Sequence, residues 1–347
     1  MKDLDRIYEA IADDRSKAIF EKRLKYSESG DYKFIREMVN AEVDYFAEDD
    51  QVYRLRKWLS GRSGDIVVFG AGFAGRSVTE SLTDIGRKPV YIADNNAALC
   101  GKEKHNVKVI SPTEIAARVT DPIVVIGVNA ARDEAFKQIT EIGIDRSRIF
   151  MPEKDWWLGK HDQYFDSDIV IPGKDEVFID AGALDGCDSL KFMKWCKDSY
   201  AGICAIEPDG QNCERTGNNL PDKPCIKVIQ KGLWDFSTTL RFSSGTKETS
   251  AISADGDDEI ETISIDEIDT DKPVTFIKMD IEGAEEKALL GAVNTIKTNR
   301  PRLAICVYHK PSDITKLPLL VLDMVPDYKL YFRHYSYTDT ETVMFAI

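Results

Sequence analysis

The chain has 347 residues, of which 43% are hydrophobic and 31% charged, and its formal net charge is -14. This length favours two domains with a helical appendage, because single domains rarely exceed about 200 residues. The composition is that of a folded globular protein, and no apolar stretch approaches the roughly 20 residues of a membrane span. The negative charge disfavours binding along nucleic acid phosphates, so we expect neither nucleic acid nor membrane as a partner.

The first residues and the cysteines predict a compartment. Asp3 and Asp5 lie where a secretion signal would begin, and no apolar segment follows them, which favours the cytoplasm. The seven cysteines are an odd number without a Cys-x-x-Cys pair. The sequence therefore predicts neither a disulfide framework nor a structural metal site.

Residues 1–60 are rich in Glu, Lys, Arg, Ala and Leu, with apolar residues three to seven positions apart, which predicts helices. Ser29, Gly30 and Asp31 predict a break between two of them. We expect this helical prefix to pack on another part of the chain or to form a homodimer.

Residues 61–152 alternate between short β-branched runs and helical segments, which predicts a parallel, doubly wound sheet of the Rossmann-like kind. The first run is followed by Gly70-x-Gly72-x-x-Gly75, and the next run ends at Asp94. This pattern satisfies the dinucleotide fingerprint, so these four residues are candidates for a second nucleotide site. Two alternatives remain open: the glycines serve only packing, and Asp94 only forms a turn.

Residues 153–170 show no clean period and are predicted to be a connector. Beyond them a second alternation of strands and helices fills residues 171–347, which predicts a second doubly wound α/β domain. The last two strand-like runs, residues 328–334 and 342–346, are expected to form an antiparallel pair at the sheet edge. The acidic stretch 243–261 is predicted to be a surface loop.

The strongest motif of this second domain is an apolar run that ends in Asp180 and continues as Gly182-x-x-x-Gly186. The next predicted strand ends at Glu207. A glycine turn lets a ligand approach the backbone, and an acid at the tip of the next strand can bind ribose hydroxyls, so the pair predicts a nucleoside site.

A second motif, Lys278-Met279-Asp280-Ile281-Glu282-Gly283, delivers two carboxylates from another strand. Because ligands sit at the carboxyl ends of parallel strands, Asp280 and Glu282 are expected to face the same cleft as Asp180 and Glu207. Tyr308 and His309 follow a further strand.

The first motif departs from Gly-x-Gly-x-x-Gly and is similar to the first motif of class I methyltransferases. Together with Lys278, the run Asp280 to Glu285, and Tyr308-His309, residues from about Asp166 to Ile347 resemble the FkbM-type methyltransferases. The resemblance implies a class I methyltransferase domain that uses S-adenosylmethionine to methylate a hydroxyl, commonly of a sugar or natural product. The cofactor-binding residues that it implies are Asp180, Gly182, Asp185, Gly186, Glu207 and Asp280. The region of the Gly70 turn resembles the small Rossmann-like domains that accompany sugar-modifying transferases.

Methyl transfer to a hydroxyl needs a group that removes the proton. His309 is the first candidate, because imidazole titrates near neutrality. Asp280 and Glu282 are alternatives, either as bases or as ligands of Mg²⁺.

We expect a small-molecule or sugar-type acceptor. Two other functions remain open: an NAD-dependent oxidoreductase or epimerase that uses the Gly70 turn, and a non-catalytic ligand-binding scaffold.

Overall fold

The computed structural model describes residues 2–42, 51–154, 156, 162–243, 251–252 and 258–347. The chain divides into two compact units. The larger unit comprises residues 1–38, 161–335 and 339–347, and the smaller unit comprises residues 39–160 and 336–338. Across the described ranges, every helix is too short or too polar to reach from one side of a lipid bilayer to the other.

The first four helices of the described residues precede β1, and the later helices are interspersed with strands. They are α1 (Lys2–Ala10), α2 (Asp14–Ser29), α3 (Lys33–Glu42), α4 (Gln51–Leu59), α5 (Phe73–Asp84), α6 (Ile115–Arg118), α7 (Arg132–Glu141), α8 (Cys187–Trp195), α9 (Gly210–Asn219), α10 (Glu285–Leu290), α11 (Val293–Asn299) and α12 (Asp313–Met324).

The strands of the described residues fall into three sheets. They are β1 (Ile66–Phe69), β2 (Tyr91–Ala93), β3 (Glu103–Lys104), β4 (Val107–Ile110), β5 (Ile123–Ile126), β6 (Ile149–Phe150), β7 (Glu176–Ala181), β8 (Tyr200–Ile206), β9 (Ile226–Ile229), β10 (Gly232–Leu233), β11 (Thr239–Ser243), β12 (Ala251–Ile252), β13 (Asp258–Ile263), β14 (Phe276–Met279), β15 (Arg302–Cys306), β16 (Leu330–His334) and β17 (Thr342–Ala346).

The smaller unit is built on a six-stranded sheet in the order β3-β4-β2-β1-β5-β6. Its strands pair in parallel except for β3, which runs antiparallel to β4. Strands β1 and β5 are buried on both faces, which explains why they read as unbroken apolar runs. The order reverses between β1 and β5, and the Gly70 turn follows β1.

The larger unit is built on a seven-stranded sheet in the order β16-β17-β15-β14-β7-β8-β9. Strands β15, β14, β7, β8 and β9 pair in parallel, and β17 runs antiparallel to β15 and β16. The antiparallel pair of the last two strands is therefore confirmed, with β16 at the edge. Phe178 of β7, Phe276 of β14 and Phe192 of α8 lie in the hydrophobic core of this unit. The rings of Phe178 and Phe192 are stacked, with their centres 4.3 Å apart.

A small sheet in the order β10-β13-β11-β12 was not predicted. The sequence predicted the acidic stretch 243–261 as a surface loop, but β11 ends in it, β12 lies within it and β13 begins in it. The prediction is therefore wrong for residues 243, 251–252 and 258–261. Ile260 and Thr262 are buried while their neighbours Glu259 and Glu261 are exposed. This alternation has the period of a strand, but the surrounding acidic residues conceal it. Residues 244–250 and 253–257 of the stretch lie outside the described residues.

Within residues 2–42 and 51–59 the predicted helical prefix forms four helices, and its first part belongs to the larger unit. Ser16 of α2 accepts a hydrogen bond from the backbone N–H of Phe332 at 3.0 Å, and Ile11 forms a bridge with Leu330. The boundary between the units falls inside α3, after Met38. The predicted connector lies partly outside the described residues, and its residues Tyr164 and Phe165 are part of the core of the larger unit.

Two glycines of the Gly70 turn allow a matched test of its packing. A Cβ on Gly75 would lie 1.8 Å from the carbonyl oxygen of Gly70, whereas a Cβ on Gly72 would meet nothing within 4 Å. We expect Gly75→Ala to destabilise the smaller unit by about 2 kcal/mol or more and Gly72→Ala to change little. Amide hydrogen exchange of β1 and β5 measures this, and equal protection in both variants would contradict it.

Candidate active site

A buried ion pair joins the two central strands of the larger unit. Asp180, the second-last residue of β7, has no exposed surface, and Lys278 of β14 is 2% exposed. The Lys278 Nζ donates to Asp180 Oδ1 at 3.1 Å and to the carbonyl oxygen of Gly182 at 2.6 Å. Ser189 Oγ donates to the other oxygen of Asp180 at 2.7 Å. Asp180 therefore holds the turn after β7 from inside.

The protonation of this pair follows from its surroundings. Burial raises the pKa of the Asp180 carboxyl, and Lys278 opposes that change. Burial alone would lower the pKa of Lys278, but the carboxylates of Asp180, Asp188 and Asp280 outweigh it and raise this pKa. The ammonium is therefore charged at neutral pH.

The turn after β7 consists largely of left-handed residues. Gly182 and Gly186 both have φ of +80°, and Leu184 between them has φ of 53°. A Cβ on Gly182 would lie 1.9 Å from the carbonyl oxygen of Asp280, so only glycine fits between the ends of β7 and β14. Asp185 accepts from the N–H of Cys187 at 3.0 Å and shapes the start of α8.

Glu207 follows β8 and connects that strand to the same turn. Its carboxylate accepts from the N–H of Leu184 and from the N–H of Asp209, each at 2.9 Å. The side chain is buried, and this burial raises its pKa. The side chain of Asn212 is a third hydrogen-bond partner. A carboxylate has about four acceptor sites, so one remains for a ribose hydroxyl. The structure thus places Glu207 beside the turn that contains Gly182.

The second motif forms an acidic cluster after β14. Asp280 Oδ2 accepts from the hydroxyl of Tyr164 at 2.8 Å, and Asp280 Oδ1 accepts from the hydroxyl of Tyr308 at 3.3 Å. Glu282 has a left-handed φ of 54°, and its side chain is 39% exposed. Non-glycine residues with positive φ cost energy and concentrate at functional sites.

His309 lies inside this cluster. Its Nε2 is 3.3 Å from Asp280 Oδ1 and 3.7 Å from Glu282 Oε2, and its Nδ1 is 2.9 Å from Glu285 Oε1. Burial alone would lower the pKa of the ring, but these three carboxylates outweigh it and raise the pKa to about 9. The ring therefore carries a proton at neutral pH, which differs from the predicted role of His309 as the base.

Asp280, Glu285 and His309 also place ligand atoms within 4.8 Å of one another, a spacing that a metal site can have. Mg²⁺ prefers an octahedral shell of oxygen atoms and water, whereas this group includes an imidazole nitrogen and does not include Glu282. The donor set therefore does not fit the Mg²⁺ ion that was considered for Asp280 and Glu282. In the structure His309 forms ion pairs with Asp280 and Glu285.

Three residues of the site were not predicted from the sequence. Tyr164 lies in the predicted connector, Glu285 was noted only as part of a motif, and Glu341 lies between β16 and β17. Glu341 accepts from the hydroxyl of Tyr308 at 3.4 Å and from the side-chain amide of Gln163. Burial and, to a smaller extent, the negative charge of Asp280 raise the pKa of the Glu341 carboxyl to about 7. No local pattern around Glu341 indicates this position, because tertiary pairing of β17 with β15 brings it there.

The predicted second nucleotide site is a closely packed turn in the smaller unit. Asp94 Oδ2 accepts from the N–H of Ala71 at 2.7 Å, and Oδ1 accepts from the N–H of Asn96 at 2.7 Å. The His105 ring lies 3.1 Å from the carbonyl oxygen of Ala71. The structure thus places Asp94 beside the Gly70 turn, as predicted. Its carboxylate binds backbone N–H groups of the two neighbouring turns, which is the packing role considered as the alternative to nucleotide binding.

The family comparison bears on the larger unit. Residues 180–337 match the model described as the methyltransferase FkbM domain. These 158 of the 347 residues are similar to FkbM methyltransferase domains. The match supports methyl transfer as the general activity of the FkbM domain, and it contains the Asp180 and Asp280 motifs. Residues 63–150 match a second model, described as C2185-like, N-terminal.

Among solved structures, the chain is similar to the methyltransferase FkbM from Methylobacillus flagellatus KT, with a TM-score of 0.51 and 19% identity. The alignment covers 90% of this chain and 99% of that one, and it shows a shared fold. Fibrillarin from Aeropyrum pernix, solved with S-adenosyl-L-methionine bound, aligns over 52% of this chain and 70% of its own at 11% identity and a TM-score of 0.31. No curated protein matches the chain.

Removal of the buried ammonium tests the role of the ion pair. Lys278→Met leaves the Asp180 carboxylate buried without its main counter-charge, and we expect a loss of about 3–5 kcal/mol of unfolding free energy. Lys191→Met is the matched control, because Lys191 pairs with Asp188 near the surface and is 43% exposed. Its loss should stay below about 1 kcal/mol. Urea unfolding measures the unfolding free energy of both variants. Equal losses would refute the role of the Lys278–Asp180 ion pair in stability.

The cluster around His309 predicts a pH-dependent stability. The folded pKa of about 9 lies above the unfolded value of 6.5. The stabilisation is therefore fully present below about pH 6.5 and is lost as the pH rises through about 9, by roughly 2–4 kcal/mol. His309→Gln should remove this decline between pH 6.5 and 9.5 in thermal unfolding. His105→Gln should retain it, because burial lowers the pKa of His105, and its ring is then neutral throughout that range.

Proposed function

We propose that the chain transfers a methyl group from S-adenosylmethionine to a hydroxyl group of a neutral, sugar-type acceptor. The observation that carries this proposal is the position of Glu207. Its carboxylate lies at the carboxyl end of β8 and holds the N–H of Leu184 in the Gly182 turn at 2.9 Å. A buried acid beside a glycine turn, at the edge where open α/β sheets bind ligands, fits the ribose of a nucleoside.

The residues that would hold the cofactor lie on adjacent strands. Glu207 would accept from the ribose hydroxyls, and the backbone of Gly182 to Gly186 would face the amino acid part. Asp180 would act indirectly, because its carboxylate is buried against Lys278 and Ser189. When bound, S-adenosylmethionine supplies a methyl group on a positively charged sulfur, which is electrophilic without further activation.

The acceptor side is the cluster after β14, whose charges favour a neutral acceptor. Four carboxylates, those of Asp280, Glu282, Glu285 and Glu341, influence His309 or one another. A phosphate or carboxylate on the acceptor would be repelled by this excess of negative charge. Sugar hydroxyls are hydrogen-bond donors and can bind carboxylates directly.

The chemical roles follow from the contacts of each side chain. The hydroxyls of Tyr164 and Tyr308 fix the carboxylate of Asp280, so we propose that Asp280 orients the acceptor hydroxyl. Glu282 is the most exposed of the three carboxylates next to His309, so a proton that it receives can pass to water. His309, as an imidazolium, forms ion pairs with Asp280 and Glu282. This assignment replaces His309 as the proposed base.

The smaller unit is proposed to be a Rossmann-like domain. Its parallel strands follow the order β4-β2-β1-β5-β6, which matches the first five strands of the dinucleotide-binding sheet. The contacts of Asp94 with Ala71 and Asn96 support a packing role for the turn. We therefore assign methyl transfer to the larger unit and retain NAD binding only as the alternative to be tested.

Binding of the product S-adenosylhomocysteine tests the proposal without knowledge of the acceptor. We expect saturable binding in isothermal titration, weakened about 10-fold or more by Glu207→Gln, because an amide replaces one of two acceptor oxygens with a donor. Gly72→Ala is the control and should bind as the unaltered chain does. No binding of S-adenosylhomocysteine, or binding of NAD that Gly72→Ala abolishes, would overturn the proposal in favour of the oxidoreductase.

A further inference from the structure

Helix α2 has one buried stripe that packs on the larger unit. Its members recur at intervals of three, one and three positions, so they share one face of the helix. They are Ser16, Ile19, Phe20 and Arg23. The first part of the stripe contacts β16: Ser16 Oγ accepts from the side chain of Arg333 at 2.8 Å, and the Phe20 ring lies 5.2 Å from that of Phe332.

The last member of the stripe is a buried arginine that reaches beyond β16. Arg23 is 3% exposed. Its Nη1 donates to the carbonyl oxygen of Asp339 at 2.5 Å, and its Nη2 donates to the carbonyl oxygen of Tyr308 at 3.1 Å. One guanidinium thus ties together two segments that are 31 positions apart in sequence. The planar fork of arginine suits two such contacts, and lysine cannot reproduce their geometry.

Both segments carry side chains of the acidic cluster. The Tyr308 hydroxyl, which has a single proton, lies 3.3 Å from Asp280 Oδ1 and 3.4 Å from Glu341 Oε1, and His309 is the next residue. Asp339 precedes Glu341 by two positions. Arg23 therefore contacts the backbone of both segments that bring His309 and Glu341 to Asp280.

Tyr26, one turn further along α2, repeats the contact with the second segment. Its hydroxyl donates to Asp339 Oδ2 at 2.7 Å, and the Arg23 guanidinium lies 5.2 Å from the centre of its ring. The end of α2 thus holds Asp339 through both its backbone and its side chain.

We infer that α2 is a structural part of the active site and that Arg23 is a positioning residue, which sets the distance between His309 and the carboxylates around it. The inference rests on the proposed function for its catalytic meaning. Arg23 does not act on the reacting atoms; it acts through Tyr308 and Asp339.

The titration of the His309 ring measures this positioning directly. The ring faces Asp280, Glu282 and Glu285, with Glu341 and Asp313 also within electrostatic reach. In Arg23→Met the two segments lose their common support, and we expect the pKa of His309 to fall from about 9 to about 8 or below as these carboxylates move away. Histidine NMR of the full chain gives this value, with His309→Gln to assign the signal.

Arg333→Met is the matched control. Arg333 is also a buried arginine at the contact between α2 and the sheet, but its partners Asp13 and Ser16 lie at the other end of the helix. This variant should leave the His309 pKa unchanged. The same shift in both variants would show a general loss of packing and overturn the inference.

Two milder variants protect the test against a failure to fold. Arg23→Lys can keep only part of the fork and should shift the His309 pKa in the same direction by a smaller amount. Tyr26→Phe removes one hydrogen bond to Asp339 and should produce a small shift in that direction as well. An unchanged His309 pKa in folded Arg23→Met, or in both milder variants, would refute the positioning role.

This test is independent of the cofactor. Arg23 contacts neither Glu207 nor the Gly182 turn, so the Arg23 variants should bind S-adenosylhomocysteine as the unaltered chain does. If the unaltered chain fails to bind S-adenosylhomocysteine, the proposed function fails, while the NMR result still decides whether Arg23 positions His309. Loss of S-adenosylhomocysteine binding in a folded Arg23 variant would contradict the local role described here.

Discussion

The ion pair between Lys278 and Asp180 is the constraint on which the larger unit depends. A charged lysine in the middle of a parallel sheet is tolerable only because its ammonium reaches Asp180, Asp188 and the Gly182 carbonyl at once. Those contacts fix the turn after β7 against the end of β14. The two halves of the candidate site, the Glu207 side and the Asp280 side, therefore keep a fixed relation to each other.

The motif residues were predictable because the end of a buried strand has a recognisable local sequence. An apolar run that stops at an acid and a glycine marks the carboxyl end of a buried parallel strand, and three such ends gave Asp180, Glu207 and Asp280. Helices α10 and α11, by contrast, are separated at Gly291, where a Cβ would lie 2.2 Å from the carbonyl oxygen of Trp234. A close approach of this kind depends on distant residues, and local sequence does not reveal it.

The charge state of His309 was the main feature that sequence reasoning missed. An isolated imidazole suggested a base, but the ring lies within 4 Å of three carboxylates that come from the loop after β14 and the start of α10. Only one of these, Glu282, is substantially exposed. The acidic cluster thus includes a cation of its own, the His309 imidazolium.

The contact between α2 and β16 joins the two ends of the chain and has a consequence during synthesis. Ser16 and Phe332, which share a hydrogen bond, are 316 positions apart. At about 5–20 residues per second, the ribosome needs on the order of 15–60 s to make the intervening chain. Throughout that time the apolar face of α2, with Ile19 and Phe20, has no sheet to cover it. The apolar side chains of α2 therefore stay uncovered by β16 until the last strands are synthesised.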